Sequence, residues 1–358
     1  MYPKLVVDMG KIAANVRAVV GLCAGHGVEV CGVTKGVCGE PRLARAFADN
    51  GVSVIGDSRL ADLERLQGIE GLEVPKLLLR TPSPEEADDV VRLADASVET
   101  ELATLQALEA ACERAGGKRH GVLLMCDLGD LREGFLGKDG LLEAARFVAR
   151  SRHLDAIGVG ANLNCLSFIL PDTRKMEELV SLAHAVEDAT GSHGLVVSGG
   201  NSSTLKLLMS GGLPEGVNQL RLGESLLLGR ERAGYSYLPG TRNDAFVFQA
   251  RVVEVKDKPS RPWGTSGVDS YGRAHKFEDR GVRRRAIVAF GHQDTEAEVM
   301  WPLDSGVEIV DSSSDHTVLD VSDASRRYAV GDVVEFRCGY HAVARAFASP
   351  YVKKEFVG

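Results

Sequence analysis

A chain of 358 residues exceeds one ordinary domain and matches an α/β barrel of roughly 250 residues plus a smaller second domain. Hydrophobic residues at 44% and charged residues at 26% form a globular balance that argues against disorder. The net charge of −8 leaves no basic excess for counterion release on nucleic acid, so a small-molecule substrate is expected.

The N-terminus has neither a basic segment followed by an apolar run nor, like the rest of the chain, the ~18 apolar residues of a membrane span, and a cytoplasmic protein is expected. A first strand at 4–8 is a candidate to join the second domain. Eight short apolar, β-branched runs then alternate with helical periodicity, at 28–34, 52–56, 76–80, 94–98, 121–127, 156–160, 195–198 and 217–222. Helices are predicted at 41–49, 58–66, 84–92, 101–115, 141–150, 173–189 and 203–210. Eight such repeats predict a (β/α)8 barrel over residues 1–234. From 235 to 358 the texture is β-rich, with runs at 246–255, 285–290, 307–310, 318–321 and 333–337 between Gly, Pro, Ser and Asp clusters. Residues 257–284 read as a long polar loop, and Arg283 to Arg285 as a solvated charge cluster. The seven cysteines (Cys23, Cys31, Cys38, Cys112, Cys126, Cys165 and Cys338) lack paired metal-type spacing and read as reduced thiols.

Three segments carry candidate chemistry. Lys35 stands at the end of the first barrel run, and barrel enzymes place their chemistry at that end. A partly desolvated lysine amine there attacks an aldehyde to form an imine, although a lone strand-end lysine is more often a surface residue. Ser198-Gly199-Gly200-Asn201-Ser202-Ser203 follows the seventh run and opens a helix, where small residues and hydroxyls suit an anion. Taken alone it is a common Gly/Ser turn with a serine cap; its place after strand seven, where barrels often bind phosphate, makes it informative. Arg221-Leu222-Gly223-Glu224 ends the eighth run, adding a glycine for the same anion and a fixed positive charge.

Thr34-Lys35, the 127–134 segment Asp-Leu-Gly-Asp-Leu-Arg-Glu-Gly, the 198–203 segment and Arg221-Leu222-Gly223 occur in the order and spacing of the fold-type III enzymes that use pyridoxal 5'-phosphate (PLP). The chain resembles the alanine racemase superfamily, and within it the alanine/ornithine racemase branch, also through Gly56-Asp57-Ser58-Arg59, Phe277-Glu278-Asp279-Arg280-Gly281 and Ser349-Pro350-Tyr351. The resemblance implies that Lys35 holds PLP as a Schiff base and serves as one proton-transfer base. It implies that Arg221 faces the pyridine nitrogen, and that Ser202, Ser203 and Gly223 hold the phosphate with Asn201 nearby. Arg132 is placed by it near the cofactor phenolic oxygen or the substrate carboxylate. Asn162 stands where the family often has a histidine that supports the pyridine-facing arginine, a departure from the pattern. An arginine there leaves the ring nitrogen unprotonated, because guanidinium cannot accept a proton.

Racemisation exchanges protons on both faces of the α-carbon, so a second base must oppose Lys35. The family uses a tyrosine from the second domain of the partner subunit in a homodimer. Here the matching strand runs into Gly291-His292-Gln293-Asp294, and His292 takes that place, with Asp294 to orient it; a surface-loop histidine is the competing reading. Ser314 and Asp315 match a segment that approaches the substrate, with His316 following, and Tyr340-His341 lies near the family's phosphate-contacting tyrosine. The expectation is thus a PLP-dependent racemase of ornithine or another cationic amino acid, with Glu224, Asp294 and Asp315 as candidates for the distal ammonium. Two other readings share the barrel. One is a D-threonine aldolase or D-serine dehydratase type lyase with a metal on His316, Cys338 and His341. The other is a non-catalytic PLP homeostasis protein, against which the second domain argues.

Overall fold

The computed structural model describes residues 2–268, 272, 274 and 278–358, and the chain forms two compact units, Met9–Ala245 and the combination of Met1–Asp8 with Phe246–Gly358. Phe277 of the sequence motif above lies outside the described residues.

Strand β1 (Lys4–Asp8) opens the chain and is followed by helix α1 (Met9–Ala24). The alternation then runs β2 (Glu29–Val33), α2 (Pro41–Asp49), β3 (Val54–Asp57), α3 (Leu60–Arg65), β4 (Lys76–Leu78), α4 (Ala87–Leu93), β5 (Ala96–Glu99) and α5 (Leu102–Arg114). It continues with β6 (His120–Cys126), α6 (Lys138–Arg150), β7 (Leu154–Ala161), α7 (Thr173–Thr190), β8 (Val196–Ser198), α8 (Thr204–Met209), β9 (Gln219–Leu222) and α9 (Glu224–Leu228). Strands β2 to β9 are parallel, and β9 pairs with β2 to close the expected eight-stranded barrel. Local chemistry supports these boundaries. Glu40 caps α2 by accepting from Arg42 N with Pro41 in the first turn, and α7 starts at the Asp172 cap and stops at Gly191 with φ +71°.

Alternate residues of each strand serve two layers. Cys31, Leu77, Val98, Leu123 and Met125 fill the barrel interior, while Val122, Leu124, Val159 and Val197 meet the helices outside. Helix α1 was not anticipated from sequence. Ile12, Val16, Val19 and Cys23 bury one of its faces at helical spacing, a pattern diluted by Gly10 and Gly21.

The second unit contains β10 (Phe246–Pro259), β11 (Val282–Val288), β12 (Met300–Pro302), β13 (Glu308–Ser312), β14 (Thr317–Asp320), β15 (Val333–Cys338), helix α10 (Tyr340–Ala348) and β16 (Lys353–Val357). Its sheet runs β12-β15-β10-β11-β14-β13, and β1 pairs antiparallel with β10 and parallel with β16. Phe248, Phe290 and Phe336 form its aromatic centre, with ring centroids 5.0 and 5.5 Å apart in edge-on contacts. The ends of the expected 257–284 loop are strand: Asp257, Lys258 and Pro259 pair with Arg284, Arg283 and Val282. Opposite charges make that extension tolerable. Arg283 Nε donates to Asp320 at 2.9 Å and Arg284 reaches Asp257 at 3.5 Å, so these arginines are bonded strand residues rather than a loosely solvated cluster.

Candidate active site

The C-terminal ends of the barrel strands gather the residues singled out in the first unit. Lys35 begins the short turn after β2 with its side chain reaching exposed space at the mouth. The protein crowding around it disfavours the ammonium and lowers its pKa below that of an ordinary lysine. Cys165, Asp57 and Glu133 oppose that shift and Arg132 reinforces it, which places all four within electrostatic reach of the amine. A lysine so tuned has a larger neutral, nucleophilic fraction near physiological pH.

Arg221, on β9, is only 6% exposed. Its Nη1 donates to Ser198 Oγ at 2.5 Å and Ser198 O at 3.3 Å, and its Nη2 donates to Ala161 O at 2.6 Å. A Cβ at Gly160 would stand 3.1 Å from Nη1, so a glycine leaves room for the guanidinium inside the barrel. Burial lowers the proton affinity of Arg221, yet an arginine keeps its charge in proteins. Ser198 and Ala161 therefore support the arginine, whereas Asn162 turns to Asn201, accepting from its Nδ2 at 2.9 Å. Neither carbonyl support carries a side-chain signature in sequence.

The anion loop follows β8. Asn201 Nδ2 also donates to Leu163 O at 2.8 Å and lies 3.4 Å from Cys165 Sγ, while its Oδ1 accepts from Ser203 N. Ser202 Oγ meets Ser225 Oγ at 3.1 Å and accepts from Ser225 N at 3.2 Å. Ser203 Oγ, in contrast, is buried without a hydrogen-bond partner. Buried hydroxyls are nearly always paired, and an orphan beside two glycines marks a place prepared for an acceptor. Gly200 has φ +108°, and a Cβ at Gly223 would approach Val33 O to 3.2 Å. Glu224 is not available to a substrate ammonium: Arg230 Nη2 holds its Oε1 at 2.6 Å, and Arg232 Nε lies 3.8 Å from its Oε2.

Arg132 sits in the loop after β6 and grips Glu133 with two guanidinium nitrogens, an ion pair that raises its pKa. Buried Asp130 accepts from the backbone N–H groups of Cys165, Leu166 and Ser167 at 3.0–3.2 Å, tying this loop to the one after β7. Glu133 stands in the 127–134 motif and Cys165 among the candidate near-site thiols, yet neither had a role of its own in the sequence reading; the structure sets both near Lys35.

In the second unit His292, Ser314 and Asp315 share one patch. His292 N donates to Ser313 O and Gln293 N to Ser314 O, each at 2.9 Å. A Cβ at Gly291 would come within 2.4 Å of Asp315 N and Ser313 O, so only glycine permits the two turns to lock. His292 also lines a cleft of about 520 Å³ with Arg345 and Ser349, Pro350 and Tyr351, the last three forming the motif singled out in sequence. Asp294 does not orient His292. It accepts from Gly291 N at 3.1 Å and closes its own turn, whereas the carboxylate facing His292 Nε2, at 3.8 Å, is Glu298. Asp315 pairs with His316 at 3.0 Å. Tyr340 opens α10 and meets the His341 ring edge-on at 5.8 Å. Cys338 is buried, burial pushes its thiol up to about 12, and its Sγ donates to Phe336 O at 3.7 Å. Among the described residues no three His, Cys, Asp or Glu side chains gather as metal ligands, so His316, Cys338 and His341 form no such set.

Residues 7–231 match the family described as alanine racemase, N-terminal domain. The chain belongs to the alanine racemase family. Within it, the chain is 39% identical to an ornithine racemase of Acetoanaerobium sticklandii over 100% of both chains. It is 36% identical to a lysine racemase of Thermotoga maritima over 99% of both. An alanine racemase from Bartonella henselae, with covalently bound pyridoxal phosphate, shares the fold at a TM-score of 0.74 and 16% identity, with 100% of each chain covered. The family resemblance drawn from the Lys35, 127–134, 198–203 and Arg221 segments is therefore borne out, and so is the barrel followed by a β-rich sheet.

Proposed function

We propose that the chain is a PLP-dependent amino-acid racemase acting on a cationic amino acid such as ornithine or lysine. The observation that carries this reading is the pairing, at one end of the barrel, of a lysine with lowered pKa and a buried, unpartnered Ser203 hydroxyl in a glycine-lined cradle. PLP supplies an aldehyde for a lysine and a conjugated ring that stabilises negative charge at a substrate α-carbon. The residues present fit it. Lys35 would bind the aldehyde carbon, Ser202, Ser203 and Gly223 would hold the phosphate, and Arg221 would face the ring nitrogen. Asn201 would keep the phosphate loop in shape through its bond to Ser203 N.

With PLP bound, the Lys35 amine would take or return the α-proton on its own face of the substrate. Arg132, fixed by Glu133, would meet the substrate carboxylate. We infer that the opposite face is served by His292 from the second copy in a homodimer; its place on a cleft with Tyr351, and the family, support this. Tyr340, Ser314 and Asp315 stay candidates from that same unit. Cationic substrates are supported by the ornithine and lysine racemase relatives, with Asp315 left as the candidate partner for the distal ammonium. Among the described residues no helix is long and apolar enough to cross a membrane. We propose cytoplasmic residence on the reduced cysteines.

A chiral assay of the PLP-loaded protein across the common amino acids tests the substrate class. Ornithine or lysine should racemise at least tenfold faster than alanine, measured as kcat/KM; preference for a neutral amino acid would contradict it.

A further inference from the structure

The Gly56-Asp57-Ser58-Arg59 segment has entered the site so far only through the charge of Asp57 near the Lys35 amine. Asp57 is fully buried at the end of β3, beside the turn that carries Lys35. Buried Thr34, the neighbour of Lys35, donates its Oγ1 to Asp57 Oδ2 at 2.7 Å, and Arg59 N donates to Oδ1 at 3.1 Å. Backbone bonds fix the same junction: Thr34 N donates to Gly56 O at 3.0 Å and Leu79 N to Asp57 O at 2.7 Å. A second clasp holds the far side of the turn. Arg65 Nη1 donates to Cys38 O and to Asp62 Oδ1, both at 2.7 Å. Gly39, with φ +60°, lies so close that a Cβ would approach Asp62 O to 2.7 Å. The turn at 34–39 is therefore held at both ends by the β3–α3 segment, and the end next to Lys35 is held by a carboxylate.

A hydrophobic pair would pack the same space at lower desolvation cost, so a buried carboxylate here calls for a role. We propose that Asp57 is a positioning residue for Lys35, fixing through Thr34 the turn from which the lysine reaches the barrel mouth and placing a negative charge within its field. This rests on Lys35 being the cofactor-binding lysine. The groups acting on Asp57 are Thr34, the backbone of Ser58 and Arg59, and Asp62; burial and Asp62 hold its carboxyl up at about 7. Those acting on Lys35 are Cys165, Arg132, Asp57 and Glu133.

The test uses the full chain. In cofactor-free protein, the acetylation rate of Lys35 by limiting acetic anhydride is followed against pH by peptide mass spectrometry. Asp57→Asn keeps the acceptor for Thr34 but removes the charge, so the Lys35 midpoint should move to lower pH. In PLP-loaded protein, Thr34→Val and Asp57→Ala should each lower kcat roughly tenfold with KM within about twofold. The double variant should be no worse than the worse single, and Thr34→Ser should restore activity. An unmoved Lys35 profile in Asp57→Asn, or single losses that multiply in the double variant, would overturn the proposal. Should Thr34→Val or Asp57→Ala fail to fold, the Asp57→Asn profile decides alone. Borohydride reduction of the PLP-loaded wild type tests the underlying reading separately. A pyridoxyl group on another lysine would sink that reading, whereas a label on Lys35 with an unmoved profile would sink only the positioning role.

Discussion

Ser203 shows how one atom reports a missing partner. Its hydroxyl is buried and unpaired, while the neighbouring Ser202 hydroxyl donates to Ser225 Oγ and accepts from Ser225 N. A hydrogen bond to a charged acceptor contributes about 1.5–3 kcal/mol, and deleting an unpaired buried hydroxyl costs the folded protein little. Ser203→Ala should therefore weaken PLP binding about tenfold or more in an absorbance titration, and leave the melting temperature of the cofactor-free protein unchanged or slightly raised. Equal affinity in variant and wild type would remove Ser203 from the phosphate site. The glycines of the 198–203 segment made its loop a candidate anion site in sequence. The orphaned hydroxyl was not legible there, because it depends on Ser225 of α9 pairing with Ser202 and leaving Ser203 Oγ without a partner.

At the scale of elements, β5 and β6 carry a buried polar group between barrel and helices. Ser97 Oγ donates to Glu99 Oε1 at 2.5 Å and contacts His120 Nε2 at 2.9 Å, leaving Glu99 Oε2 and His120 Nδ1 unpartnered. Burial pushes the Glu99 carboxyl from its ordinary 4.5 up to about 8 and lowers His120 to about 4. With the folded pKa of Glu99 above its unfolded value, folding is unpenalised below about pH 4.5 and loses stability as pH rises towards 8. Glu99→Gln should match the wild type near pH 4 and exceed it by roughly 2–4 kcal/mol at pH 8, measured by urea denaturation at both values. A constant difference between the two pH values would contradict the assignment. Gly291 makes the parallel case in the second sheet. Gly291→Ala would drive a methyl into the Ser313 and Asp315 backbone, and activity should fall more than tenfold while PLP absorbance, a property of the barrel, is retained. The barrel strands and most of the second sheet were readable because β-branched runs repeat at intervals, whereas the three-residue β12 and the lysine-led β16 were not. The helices α1, α9 and α10 were not, since glycines interrupt the first and tertiary burial holds the short second.

For the whole molecule, Lys35 and His292 belong to different compact units. If His292 acts across a homodimer, co-refolded Lys35→Ala and His292→Ala subunits should recover about a quarter of wild-type activity, because only the mixed dimer rebuilds one intact site. No recovery would place both bases in one chain, and full activity of His292→Ala alone would remove His292 from catalysis. The fold was legible because strand ends repeat at regular intervals, and the barrel half of the candidate site was proposed from glycines and one lysine at fixed places along that pattern. The second half was not, because Asp294 was read as the partner of His292 from adjacency, whereas the structure turns Asp294 to the Gly291 N–H and sets Glu298 opposite the ring. The account as a whole stands on Lys35, and α-proton exchange measures it most directly. In D2O, PLP-loaded wild type should place deuterium on the α-carbon of ornithine or lysine while optical activity is lost. Lys35→Ala should show less than about a thousandth of that rate. A variant that still exchanged and racemised at the wild-type rate would contradict the central claim.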